Sequence, residues 1–181
     1  MAGIWRVVIA LLLASVPTSL LALGQKRYIE TTSLPGSFPI VRAGNAAPIY
    51  VDAHNYPGVK RAATDLKSDI ARVTGVSPVI SNSSAELHTY AIIMGTIGHS
   101  ARIDSLVRSG KINIAAIADK WESFQIQVVP TPLPGIESSL VIAGSDKRGT
   151  IYGIDDISEQ IGVSPWFWWQ TCRFVTRASC L

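Results

Sequence analysis

Ser139-Leu-Val-Ile-Ala-Gly-Ser-Asp-Lys-Arg-Gly-Thr-Ile-Tyr-Gly-Ile-Asp-Asp-Ile-Ser-Glu-Gln-Ile-Gly-Val-Ser-Pro-Trp-Phe-Trp-Trp169 is the stretch on which the rest of the chain is organised. Leu140 to Ala143 has the length and composition of a buried strand. Gly144-Ser145-Asp146 breaks it, and Asp146 or Ser145 can cap a helix by accepting backbone N–H bonds. Ile151, Ile154, Ile157 and Ile161 then recur at helical spacing. Gly162 stands where a helix end wants positive φ. Pro165 prevents continuation, and Trp166, Trp168 and Trp169 crowd the exit. The order is strand, polar turn, helix, stop, aromatic cluster.

Upstream, Pro57 to Thr74 is the clearest helix. Pro57 suits a first helical position, and Gly75 ends the run. Val59, Ala62, Ala63, Leu66, Ile70 and Val73 form one apolar stripe; Lys60, Arg61, Lys67, Asp69 and Arg72 read as the solvated side. The two alanines let the stripe approach a sheet closely. Short strands are expected at Phe38 to Arg42, Pro48 to Asp52, Pro78 to Ile80 and Tyr90 to Met94. Gly95 to Gly98 reads as a turn, after which Ser100 caps a helix carrying Ile103, Leu106 and Val107 and closed by Gly110. Phe124, Ile126 and Val128 alternate with Gln125 and Gln127, as in a half-buried strand. Pro130 to Gly135 is an irregular link to the next strand. No internal repeat is visible. Strands are mixed with about three helices, and two adjacent strands share the Pro-rich link. The fold class is therefore α/β, with α+β character: a mixed β-sheet with about three packed helices.

Residues 1–24 read as a secretory signal. Arg6 gives a positive start, Val7 to Ala14 an apolar core, and Ala22-Leu23-Gly24 a small-x-small cleavage pattern. The run is short for a membrane anchor and Pro17 interrupts it, so a secreted, extracellular protein with no membrane association after cleavage is expected. Of the formal charge of +3, Arg6 supplies one. The remainder is too small and too scattered to argue for nucleic acid, and none is expected as a partner. Cys172 and Cys180 are the only cysteines, and a bridge between them would staple only the tail. His54, His88 and His99 are widely separated, no Cys/His cluster has metal-ligand spacing, and nothing points to a cofactor.

The stretch quoted above, together with PIYVD, VKRAATDLKSDIARVTG, AIIMGTIGHSARID and KWESFQIQVV, resembles the N-terminal part of glycoside hydrolase family 115. The resemblance runs from about Ile40 to Trp169. It implies a small α/β domain like the accessory N-terminal domain of hexosaminidase-like glycosidases. It further implies a place ahead of the catalytic barrel of a xylan α-1,2-(4-O-methyl)glucuronidase, an enzyme of hemicellulose degradation. The organisation expected is a signal peptide (1–24), an N-terminal linker (25–37), the α/β domain (38–169) and an aberrant tail (170–181). The tail departs from the family pattern, which reads as a truncated or frame-shifted gene product or an unremoved intron.

Glycoside hydrolysis needs two carboxyl groups flanking a sugar. Asp155 and Glu159 share a helix face with Asp156 beside them, but they read as a solvated acidic face. The resemblance places the catalytic acid and base in the missing barrel, so no catalytic residue is assigned. Lys147 and Arg148 are candidate partners for a uronate carboxylate. Glu122 and Trp121 are candidate sugar contacts. Trp166, Trp168 and Trp169 are candidates for sugar stacking or an interdomain core. Asp52, at a strand end, is either a ligand contact or a turn residue near Asn55. The glycine-rich turn at Gly95 could hold an anion, but it lacks the P-loop lysine and the dinucleotide fingerprint. Asn82-Ser83-Ser84 is an N-glycosylation sequon in a loop. Three functions compete. The first is a non-catalytic enzyme domain, inactive alone, that meets glucuronoxylan through the full-length protein. The others are a stand-alone carbohydrate-binding module and a domain that docks a separate barrel.

Overall fold

The computed structural model describes residues 27–32, 34–83, 87 and 89–164. The expected signal peptide, Ser84, His88, the three tryptophans after Pro165, both cysteines and the tail lie outside the described residues. A two-stranded antiparallel ribbon, β1 (Val41–Arg42) and β2 (Asn45–Ala46), precedes the main sheet. The sheet holds β3 (Ile49–Val51), β4 (Ile80–Ser81), β5 (Tyr90–Thr96), β6 (Phe124–Pro130) and β7 (Ser138–Gly144) in the order β4-β3-β5-β7-β6. Four strands run parallel, and β6 pairs antiparallel with β7 at one edge. Helices α1 (Pro57–Thr74), α2 (Ala101–Arg108) and α3 (Lys147–Gln160) pack on the sheet. The mixed sheet with three helices is what the pattern of the chain implies.

The period of two in the strands divides the core. Ile49, Val51, Ile92, Met94, Leu140 and Ile142 face α1 and α3, meeting Val59, Leu66, Ile70, Ile154 and Ile157. Tyr50, Ala91, Ile93, Val141 and Ala143 face α2, meeting Ile103 and Leu106. Leu66 is fully buried, and removing it from water contributes about 2 kcal/mol. Gly153 brings α3 close to the sheet, because a Cβ there would stand 2.9 Å from Ile142 Cγ2.

The helix ends follow local chemistry. Pro57 opens α1, and Gly75 closes it in the left-handed conformation. Beyond α3, Gly162 N–H bonds Glu159 O and Val163 N–H bonds Ser158 O, which satisfies the last carbonyls.

Three local expectations change. Gly95 and Thr96 belong to β5, so the turn begins at Ile97. Parallel pairing with β7 continues through Thr96↔Gly144 and holds them extended. Asp69 is buried, not solvated, because α3 packs over it and Arg72 pairs with it at 3.0 Å. In β6 the register runs as expected through Ile126, but Val128 is exposed while Val129 is buried in the α2-side core.

Candidate functional site

The parallel strands β3, β5 and β7 end at one edge of the sheet, and the three helices begin there. Adjacent strands send their chains to opposite faces: α1 leaves β3 on one side and α2 leaves β5 on the other. Such switch points are where α/β sheets open a crevice at their carboxyl ends.

At the β3–β5 switch lies an open depression of about 340 Å³, lined by Asp52, His54, Gly98, His99, Ser100, Ala101 and Asp104. Asp52 serves its walls. One oxygen accepts the His54 N–H at 3.0 Å and the other the Ala101 N–H at 3.1 Å. Asp104 accepts the Gly98 N–H at 2.8 Å. Both carboxylates thus fix backbone turns. Tyr56 lies against His99, with its hydroxyl 2.6 Å from Nε2. Sequence reasoning found Asp52 but not Tyr56 or His99. No local motif links them, since they meet only when β5 pairs with β3.

The second constellation surrounds the start of α3. Asp146 caps the helix, accepting the Gly149 N–H at 2.7 Å, and its other oxygen accepts the Glu122 N–H at 2.9 Å. These two backbone bonds, Gly149 first, hold its carboxyl below the usual range. Ser145 bonds Ser123 through both backbone and hydroxyl. The loop ahead of β6 is thereby fastened to the turn after β7. Gly149 is required by that contact: a Cβ would stand 2.3 Å from Ser123 O. Glu122 adopts φ 53°, in the left-handed region, and turns its carboxylate onto Arg148 at 2.8 Å. Arg148 also donates to the Tyr152 hydroxyl at 2.8 Å. Trp121, beside this pair, is 86% exposed. Lys147 is exposed in the same helical turn.

Of the candidates, Glu122 and Arg148 therefore come together, and Trp121 and Lys147 are exposed as their chain neighbours. Asn82 is exposed just past β4, at the outer side of the same sheet edge. The acidic residues of α3 do not form a pair across a cavity. Asp156 accepts the Tyr28 hydroxyl, while burial and then the charges of Asp65 and Asp69 raise the Asp155 carboxyl. Among the described residues, no group of three or more His, Cys, Asp or Glu is placed to hold a metal ion.

No family model matches this chain, and no curated protein matches it. Solved structures do match. One is a family GH115 4-O-methyl-alpha-glucuronidase with specificity for decorated arabinogalactans, similar at 32% identity with a TM-score of 0.57. The fold is GH115-related. The match covers 71% of this chain and 15% of that enzyme, so a GH115-related domain, a small part of the glucuronidase's length, is what the two share.

Proposed function

We propose that this chain is the N-terminal, non-catalytic domain of a secreted family 115 xylan α-1,2-(4-O-methyl)glucuronidase, inactive alone and completed by a catalytic barrel. One observation carries the reading: 32% identity over most of this chain to a small fraction of a 4-O-methyl-alpha-glucuronidase. Two features agree with it. Asp52, Asp104 and Asp146 are committed to backbone turns, and Asp156 to Tyr28. The polysaccharide acted on by the solved relative is decorated arabinogalactan, so both that glycan and glucuronoxylan belong in the assay.

The test begins with the transcript across the codons for Trp169 and Gln170. Its longest product and the 181-residue chain are then each assayed for release of (4-O-methyl)glucuronic acid from both polysaccharides. Release by a product that continues into a further domain, and none by the 181-residue chain, is expected. Release by the 181-residue chain itself, or a longer product without glucuronidase activity, overturns the proposal.

A further inference from the structure

We infer that the Trp121 loop and the first turn of α3 form a contact surface for a uronate-bearing polysaccharide, with Trp121 as the stacking platform. The choice of a uronate-bearing chain rests on the glucuronidase reading above; the surface itself rests on geometry. A sugar ring has one apolar C–H face and a rim of hydroxyls. It therefore fits a flat exposed aromatic ring flanked by hydrogen-bonding groups. Trp121 supplies the ring at 86% exposure. The Glu122–Arg148 pair and the Tyr152 hydroxyl supply the rim, with side-chain exposures of 57% for Arg148 and 32% for Glu122. Lys147 adds an exposed ammonium for a carboxylate.

The backbone of the loop that carries Trp121 is tethered before any ligand arrives. Glu122 sits in a left-handed conformation, which a non-glycine residue keeps only where its surroundings hold it there. The Asp146 carboxylate accepts the N–H of Glu122 itself, Ser145 bonds the next residue, Ser123, and the Ser123 hydroxyl donates to the Trp121 carbonyl. A tethered loop loses little freedom on binding, which is what an exposed recognition loop requires.

A glycan fits this surface better than a covering protein domain. A protein contact would strip water from the half-exposed Glu122–Arg148 pair, at a desolvation cost that a wet glycan contact avoids. The surface also lies at the start of α3, whereas Gly162 and Val163 lie beyond its far end. A helix of 14 residues is about 21 Å long.

The test is affinity electrophoresis of the full 181-residue chain through gels containing glucuronoxylan, carboxyl-reduced glucuronoxylan or no polysaccharide. Trp121→Ala and Lys147→Ala are run beside it, and thermal melts confirm folding. Retardation of the wild type by glucuronoxylan is expected. Trp121→Ala should weaken it about tenfold or more in Kd. Lys147→Ala should weaken it only where the carboxyl groups are intact. No retardation of the wild type, or equal retardation of folded Trp121→Ala, overturns the inference. So does loss of a domain contact, seen as new protease sensitivity, when Trp121→Ala is placed in a longer product that still binds the glycan. A longer product without glucuronidase activity would count against the proposed function and leave this binding result standing on its own.

Discussion

Asp146 accepts the backbone N–H of Glu122 at 2.9 Å while its other oxygen accepts that of Gly149 at 2.7 Å. One carboxylate thus joins a loop to a helix that follows it by two dozen residues. Asp146→Ala should cost about 1–3 kcal/mol and lower the thermal midpoint. Asp146→Asn, which keeps one acceptor, should cost less. The folded carboxyl is depressed, so its contribution is present above the unfolded value of about 3.9 and is lost as pH falls through the folded value. Urea melts should show the difference between wild type and Asp146→Asn steady at neutral pH and narrowing below about pH 4. A difference independent of pH would falsify this account.

Gly149→Ala should destabilise the protein, although glycine to alanine within a helix ordinarily gains about 1 kcal/mol. The new methyl would stand 2.3 Å from Ser123 O, a backbone atom that moves only with its loop. A loss of about 1–3 kcal/mol is expected in urea titration. Gly58→Ala is the control. Its nearest neighbour is the flexible end of Ile151 at 3.3 Å, and its effect should stay within about 0.5 kcal/mol. Equal effects at the two sites would refute the tight-contact explanation.

The Thr96 and Thr150 hydroxyls meet at 2.7 Å in the interior, tying the end of β5 to α3. Thr150→Val should cost about 1–2 kcal/mol, because it leaves the Thr96 hydroxyl only a 3.4 Å contact with Asn55. In a double-mutant cycle, Thr96→Val with Thr150→Val should cost less than the two single changes added, by about 1 kcal/mol. Strict additivity would mean that the two hydroxyls do not depend on each other.

Asp155 responds to pH with the opposite sign to Asp146. Partial desolvation, then the charges of Asp65 and Asp69, raise its carboxyl, and because the residue is exposed, solvent screens most of that effect and its ionised form is only mildly disfavoured in the folded state. That penalty is present above the folded value and is relieved as pH falls through it toward the unfolded value. Asp155→Asn should therefore raise the melting temperature slightly at pH 7, with a gain that vanishes below about pH 4. A lower melting temperature at pH 7 would show that Asp155 has a stabilising partner instead.

The elements legible in the sequence are those whose signals are local. Pro57 and Gly75 bracket α1 because proline and a left-handed glycine act on their own backbone. Asp146 is readable as a cap for the same reason. What escaped depends on pairing between distant segments. Gly95 and Thr96 look like a turn until β7 runs beside them. Asp69 looks solvated until α3 covers it. Glu122 and Arg148 were separate candidates for sugar contact, and only the folded chain makes them partners. The depression near His99 was legible only in pieces, Asp52 and the glycine-rich turn, because its residues come from the segments after two strands that the sheet brings side by side.

Tyr28 donates its backbone N–H to Gln160 at 3.2 Å, so the first described segment and the last helix meet at one place. A unit entered and left at neighbouring points can be set into a loop of a larger architecture without straining its host.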